Sequence, residues 1–135
     1  MVQTLKTRKD ISLAYCDSQI FDLQRNPYYV FTFEPYNYME LMESQGRIPT
    51  GSFVFRTECW RQIDGFREDM IRGEDFEWQL RMGEFFDFLR YPQILHYYFR
   101  DKDGLIHDTS RRGIVKEAMT VLQQTKDQIK IRKFR

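Results

Sequence analysis

Gly73-Glu74-Asp75-Phe76-Glu77-Trp78-Gln79-Leu80-Arg81-Met82-Gly83 is the stretch on which the reading of this chain turns. Phe76 and Leu80 fall on one stripe and Glu77 and Arg81 form an i,i+4 pair on another, so the spacing predicts a helix from about Glu74 to Met82, ended by Gly83. Glu74 and Asp75 sit at its start, where the helix dipole and free backbone N–H groups favour carboxylates. On these residues alone, Asp75 reads as a capping acid and Glu74 as a solvated first-turn acid. A carboxylate held at such a position beneath a loop can instead be a positioned general base.

Outward from this helix, short apolar runs alternate with helical patterns. Val2 to Lys9 reads as the end of a helix, and Ile11 to Cys16 as a strand buried on both faces and stopped by Asp17 and Ser18. Asp22 to Pro27 is a turn, Tyr28 to Phe33 an aromatic extended stretch, and Tyr36 to Ser44 a helix with Gly46 as its stop. Gly51 opens the run Ser52-Phe53-Val54-Phe55, and Thr57 is placed to cap a short helix that ends at Gly65. Phe85 to Tyr91 and Ile94 to Phe99 read as two extended segments separated by Pro92. Asp103-Gly104 signals a turn, and Thr109 or Ser110 is placed to cap a last helix with Ile114, Ala118, Val121, Leu122 and Ile129 on its apolar face. The basic tail from Lys130 to Arg135 reads as a solvated, frayed end. Alternating strands and helices argue for an α/β architecture.

The 135 residues fit one domain, 1–135, with a terminal helix and basic tail over 113–135. Apolar residues make up 41% and charged residues 30%, which excludes a disordered or collagen-like chain. Lys and Arg total 21 against 20 Asp and Glu, a net charge of +1 that argues against a nucleic-acid reader. Cys16 and Cys59 have no metal-ligand spacing, and a reduced compartment fits them better than a single bridge. No apolar run approaches the ~20 residues of a membrane span, and Met1 to Asp10 lacks an apolar signal core. The expectation is a cytoplasmic domain, with the basic tail leaving room for a peripheral position at the inner face of the membrane. Aromatic residues reach 16%, so core and cleft alike are expected to be aromatic. Trp60 and Trp78 are candidates for a stacking face in such a cleft, but helical spacing favours the core for Trp78.

Gly65-Phe66-Arg67-Glu68, Glu74-Asp75-Phe76-Glu77 and Leu80-Arg81 together resemble a family 2 glycosyltransferase. Such an enzyme has the GT-A fold and inverts the anomeric centre. Its usual signature is Gly-Phe-x-Glu, a short loop, Glu-Asp-x-Asp/Glu and then Leu-Arg at the end of the helix. Gly51 to Arg56 resembles the small-residue start, apolar run and Arg of the preceding strand. Tyr97-Tyr98-Phe99-Arg100 resembles the Tyr-Arg strand, and Ile106 to Ser110 the His-x-x-Ser loop. The similarity spans about residues 2 to 112.

The resemblance implies a partial GT-A, Rossmann-like domain, a mixed sheet with flanking helices. Asp75 would be the general base that deprotonates an acceptor hydroxyl, with Glu74 shaping the acceptor site. Trp78 and Arg81 are candidates for substrate contact, and His107 for a ligand of the divalent ion that bridges the donor diphosphate. Without the family, His107 is an exposed turn residue and His96 a structural strand residue. The family's nucleotide-binding strands and Asp-x-Asp motif would lie upstream of residue 1, and Asp101-Lys102-Asp103 falls in a late turn instead. This chain therefore resembles the acceptor-side half. The complete enzyme would use Mn²⁺ or Mg²⁺, a nucleotide-sugar donor and a glycan or other hydroxyl acceptor. Alone, the chain is expected to transfer no sugar, to hold no ion and to self-associate through an exposed sheet edge. The rival from another class is a non-catalytic binding or scaffold module, or a truncated remnant of such an enzyme.

Overall fold

The computed structural model describes residues 1–32, 35–43, 48–100 and 112–134, the last segment without the side chains of 112–115 and 134. It is a mixed α/β fold. The elements are α1 (Val2–Thr7), β1 (Ile11–Phe21), β2 (Pro27–Phe31), α2 (Tyr38–Glu43), β3 (Phe53–Phe55), α3 (Thr57–Gln62), α4 (Glu74–Phe85), β4 (Asp87–Phe99) and α5 (Arg112–Phe134).

β1 is the centre of the sheet. β4 runs parallel to it from Ile11 to Phe21, so one edge of β1 is taken along its whole length. The other edge is shared by two antiparallel partners: β3 at Leu13–Tyr15 and β2 at Ser18–Phe21. The strand does not stop at Asp17 and Ser18 as their polarity suggests. Asp17 accepts from the Arg90 guanidinium at 2.8 Å and Ser18 Oγ is 2.9 Å from His96 Nδ1, so partners on β4 make both tolerable inside a buried strand. The two extended segments read around Pro92 are one strand with an irregularity. Tyr91 pairs with Cys16 and Ile94 with Asp17, leaving Pro92 and Gln93 outside the register, where a residue without an N–H does least harm.

The main core lies between one face of the sheet and helices α4 and α5. Leu13 and Tyr15 of β1 meet Phe76, Trp78, Leu80 and Met82 of α4, with Leu122 and Ile129 of α5 closing the other side. On the opposite sheet face, Ile11 and Ala14 pack under Leu5 of α1. Arg56, the residue that ends the β3 run, donates to the carbonyls of Leu5, Arg8 and Ile11. It thereby satisfies acceptors left open at the end of α1.

Two further boundaries differ from expectation. Thr57 is the first residue of α3 rather than its cap, a place held by Arg56. α4 runs through Gly83 to Phe85, because Gly83 is required for packing instead of termination: a Cβ there would lie 2.7 Å from the Tyr36 hydroxyl and from the Tyr38 ring. The basic tail is not frayed either. α5 continues to Phe134, with Arg132 bidentate on the buried Glu84 at 2.8 and 2.9 Å and Lys133 Nζ donating to the Glu84 carbonyl. Thr109 and Ser110 lie outside the described residues.

Candidate active site

α4 is joined to β4 by Phe86 alone, so it runs back against the two parallel strands. Its 12 residues span about 18 Å, the length of five or six strand residues. The helix start therefore lies toward the carboxyl ends of β1 and β4, where α/β proteins commonly bind ligands. Gly73 precedes the helix in a left-handed conformation, φ 72°, which turns the loop into the first helical residue. Glu74 and Asp75 follow as half-buried residues.

Asp75 is not the helix cap. It is the second helical residue, and its carboxylate is held from two directions. Oδ1 accepts from the N–H of Phe76 at 2.8 Å, and Oδ2 accepts from Thr50 Oγ1 at 2.9 Å. A carboxylate oxygen left unsatisfied by protein, the arrangement expected of a base, is thus not what the fold provides. The helix's own backbone engages Oδ1, and the turn before β3 reaches the helix start to engage Oδ2. These bonds orient the carboxylate.

The turn that supplies Thr50 is itself tightly held. The side-chain amide of buried Gln79 bonds both backbone groups of Ile48, at 2.8 Å to its N–H and 2.7 Å to its carbonyl. Ser52 bonds Pro49 O through its N–H and its hydroxyl, at 3.0 and 2.7 Å. Ser52 O in turn accepts from the Cys16 N–H at 2.9 Å. Thr50, which no sequence pattern nominated, is the residue that fixes the candidate base. Its only advance signal was the neighbouring Gly51, whose φ of +99° marks a turn that only glycine adopts readily.

Trp78 and Arg81 take structural places. Trp78 is 0% exposed and packs against Phe53, Phe55, Trp60 and Phe66, so its indole presents no face on which a sugar could stack. Arg81 holds Glu77 with Nε and Nη2, both at 2.7 Å, and donates to the carbonyls of Ile63 and Gly65. Substrate contact for these two gives way to a core role, since each is committed to neighbours inside the fold. Their commitment explains the Gly-Phe segment. Gly65 sits at φ 61° under the Trp60 indole, where a Cβ would lie 2.7 Å from the ring, and Phe66 packs edge-on to Trp60 at 4.6 Å. Arg81 thus locks the segment 63–65 to the helix that carries Asp75.

Deeper on the same sheet face as Tyr15 lies the Asp17–Arg90 pair, with Arg90 Nη2 at 2.8 Å from Oδ2 and 3.1 Å from Oδ1. Burial pushes the Tyr15 phenol up to about 12, so it stays protonated across the physiological range. Cys16 and Cys59 are both buried and unbridged, and burial raises both thiols, which makes them poor nucleophiles.

His107 lies outside the described residues. Among the described residues no three His, Cys, Asp or Glu side chains gather in a way that could hold a metal ion. These residues by themselves do not fit Mn²⁺ or Mg²⁺, which need several oxygen donors, and no step below runs through an ion. No helix among the described residues is long and apolar enough to cross a membrane. No protein-family model and no curated protein matches the chain.

Proposed function

We propose that this chain is the acceptor-side part of an inverting GT-A glycosyltransferase, which moves a hexose-type sugar from a nucleotide-sugar donor to a hydroxyl of a glycan or similar acceptor. In this reading Asp75 takes the proton from the acceptor hydroxyl. The oxygen then forms its bond to the anomeric carbon from the face opposite the departing nucleoside diphosphate. Glu74, beside it in the first turn, shapes the acceptor's hydrogen bonding.

The observation that carries the proposal is the way Asp75 is held. A half-buried carboxylate at the start of α4 is fixed by a hydroxyl from a separate, well-anchored turn. General-base work rewards such fixation, because a base already in place needs little reorganisation in the transition state. The order and spacing of Gly65-Phe66-Arg67-Glu68, Glu74-Asp75-Phe76-Glu77 and Leu80-Arg81 add their resemblance to that family. The structural duties of Trp78 and Arg81 also suit a non-catalytic module that keeps the same core, so the two readings part at Asp75.

The separating experiment is a donor-hydrolysis and transfer assay on the full-length protein that carries these residues, with a panel of nucleotide sugars and Mn²⁺. Asp75→Asn should lower turnover by roughly 10²–10⁴-fold and leave donor affinity nearly unchanged. Turnover indifferent to this substitution would reject the base assignment. Absence of transfer with every donor would favour the binding module.

A further inference from the structure

We propose that His96 is a positioning residue for Asp75, acting through the Thr50–Gly51 turn; the catalytic meaning of this role rests on the reading of Asp75 as a base. His96 lies on β4 opposite Ser18 of β1. Its Nδ1 is 2.9 Å from the hydroxyl of Ser18, a residue with 0% exposure, so the imidazole is anchored to the most buried strand of the sheet. The other side of the ring rests on Gly51. A Cβ at Gly51 would lie 2.8 Å from Nε2 and 3.5 Å from both Cδ2 and Cε1, so the contact is ring against bare backbone.

The consequence lies one residue away. Hydrogen bonds fix the two ends of the turn, at Ile48 through Gln79 and at Ser52 through Pro49 and Cys16. The apex, Thr50–Gly51, is exposed, and the His96 imidazole lies against it at Gly51. Thr50 reaches from that apex to Asp75 Oδ2. Gly51 is bonded directly to Thr50, so a shift of Gly51 changes where the Thr50 hydroxyl is presented to Asp75. Removing the ring frees the apex to move, and adding a side chain at Gly51 pushes it off the ring. Either change should disturb the carboxylate. A purely local strand role for His96, filling space beside Ser18 and Tyr98, predicts no effect at Asp75.

The test reads the carboxylate directly. The side-chain carboxyl ¹³C resonance of Asp75 is recorded at neutral pH in the wild-type chain, and Thr50→Val defines where it moves when the hydroxyl is lost. His96→Ala and Gly51→Ala should each move it toward the Thr50→Val position, while His96→Gln, which can still bond Ser18 and fill the space, should restore most of the wild-type value. Backbone amide spectra report whether each variant is folded; if His96→Ala does not fold, His96→Ser, whose short side chain leaves Gly51 uncovered, takes its place, because Gly51→Ala also strains a φ of +99°. A resonance unmoved in the folded His96 and Gly51 variants overturns the proposal, as does one unmoved by Thr50→Val. In the full-length enzyme, His96→Ala should lower kcat by up to roughly 10²-fold with donor KM little changed, and His96→Gln should recover it. The resonance needs no sugar. If it responds as expected while Asp75→Asn leaves turnover intact, the base assignment fails and the brace stands. If Asp75→Asn abolishes turnover while the resonance ignores His96, the brace fails and the base assignment stands.

Discussion

The two halves of β4 share one partner strand and live in different surroundings. Between Asp87 and Tyr91 the strand is sheltered: Phe88 is buried in the main core and Tyr91 shares a hydrogen bond with Thr4 of α1. Beyond the irregularity at Pro92 and Gln93, Leu95, Tyr97, Tyr98 and Phe99 are all about half exposed or more, as is Tyr28 on β2. Helix coverage makes the difference. α4 ends its run along the sheet near Asp17, and α1 covers only the first residues of β1, so the strands project past both helices. The covered half builds the core, and the candidate base sits at the boundary, where the helix begins and the sheet emerges. Buried Ser18 and Ile20 show that β1 stays dry even there, flanked by β2 and β4.

Truncating one ring in each half separates the two most clearly. Trp78→Ala should cost about 3–5 kcal/mol in denaturant unfolding, since it opens a cavity among Phe53, Phe55, Trp60 and Phe66. Tyr97→Ala, at 65% exposure and touching Phe21 at its edge, should change stability by no more than ~0.5 kcal/mol. Comparable losses at the two positions would show that the projecting half is also core. An intermediate effect is expected at the far end of α5. Arg132→Ala removes a bidentate partner from the buried Glu84 carboxylate, although half of Arg132 faces solvent, and should cost about 1 kcal/mol. Hydrogen exchange should show the loss concentrated in the last turns of the helix. Unchanged protection there would return the tail to a frayed end.

The smallest effect concerns pH. Burial lowers the His96 pKa from its ordinary 6.5, so the unfolded chain binds a proton that the folded chain resists. The contribution is absent above pH 6.5, where both states are neutral, and stability falls as pH drops below it. His96→Gln should flatten the unfolding free energy across that acid window. A slope that survives the substitution would assign it to other groups.

How much of this was legible depends on distance along the chain. The helices follow from local period: Phe76, Leu80 and the Glu77–Arg81 pair mark α4, and Leu122 and Ile129 mark the face of α5 that the structure buries. Strand limits were harder. Asp17 and Ser18 read as stops because their partners, Arg90 and His96, are 73 and 78 residues away, and no local pattern reveals such pairing. Pro92 read as a break because the sequence does not show that a strand can step around it. At the site, Asp75 was visible from its place at the helix start, whereas Thr50 and His96 act only through a turn whose geometry emerges once β3 pairs with β1. Trp78 and Arg81 look functional in a linear motif. In three dimensions they hold the Gly65 segment and the helix together.

Asp75 is proposed as a base held at the edge of an acceptor site. Sugar transfer by the full-length protein, measured as nucleoside diphosphate release matched to glycosylated product, tests it through one substitution. Asp75→Asn, which keeps the shape and the acceptor for Thr50 and removes the basicity, should lower transfer by roughly 10²–10⁴-fold at unchanged donor affinity. Transfer that proceeds at the wild-type rate in Asp75→Asn would contradict the claim.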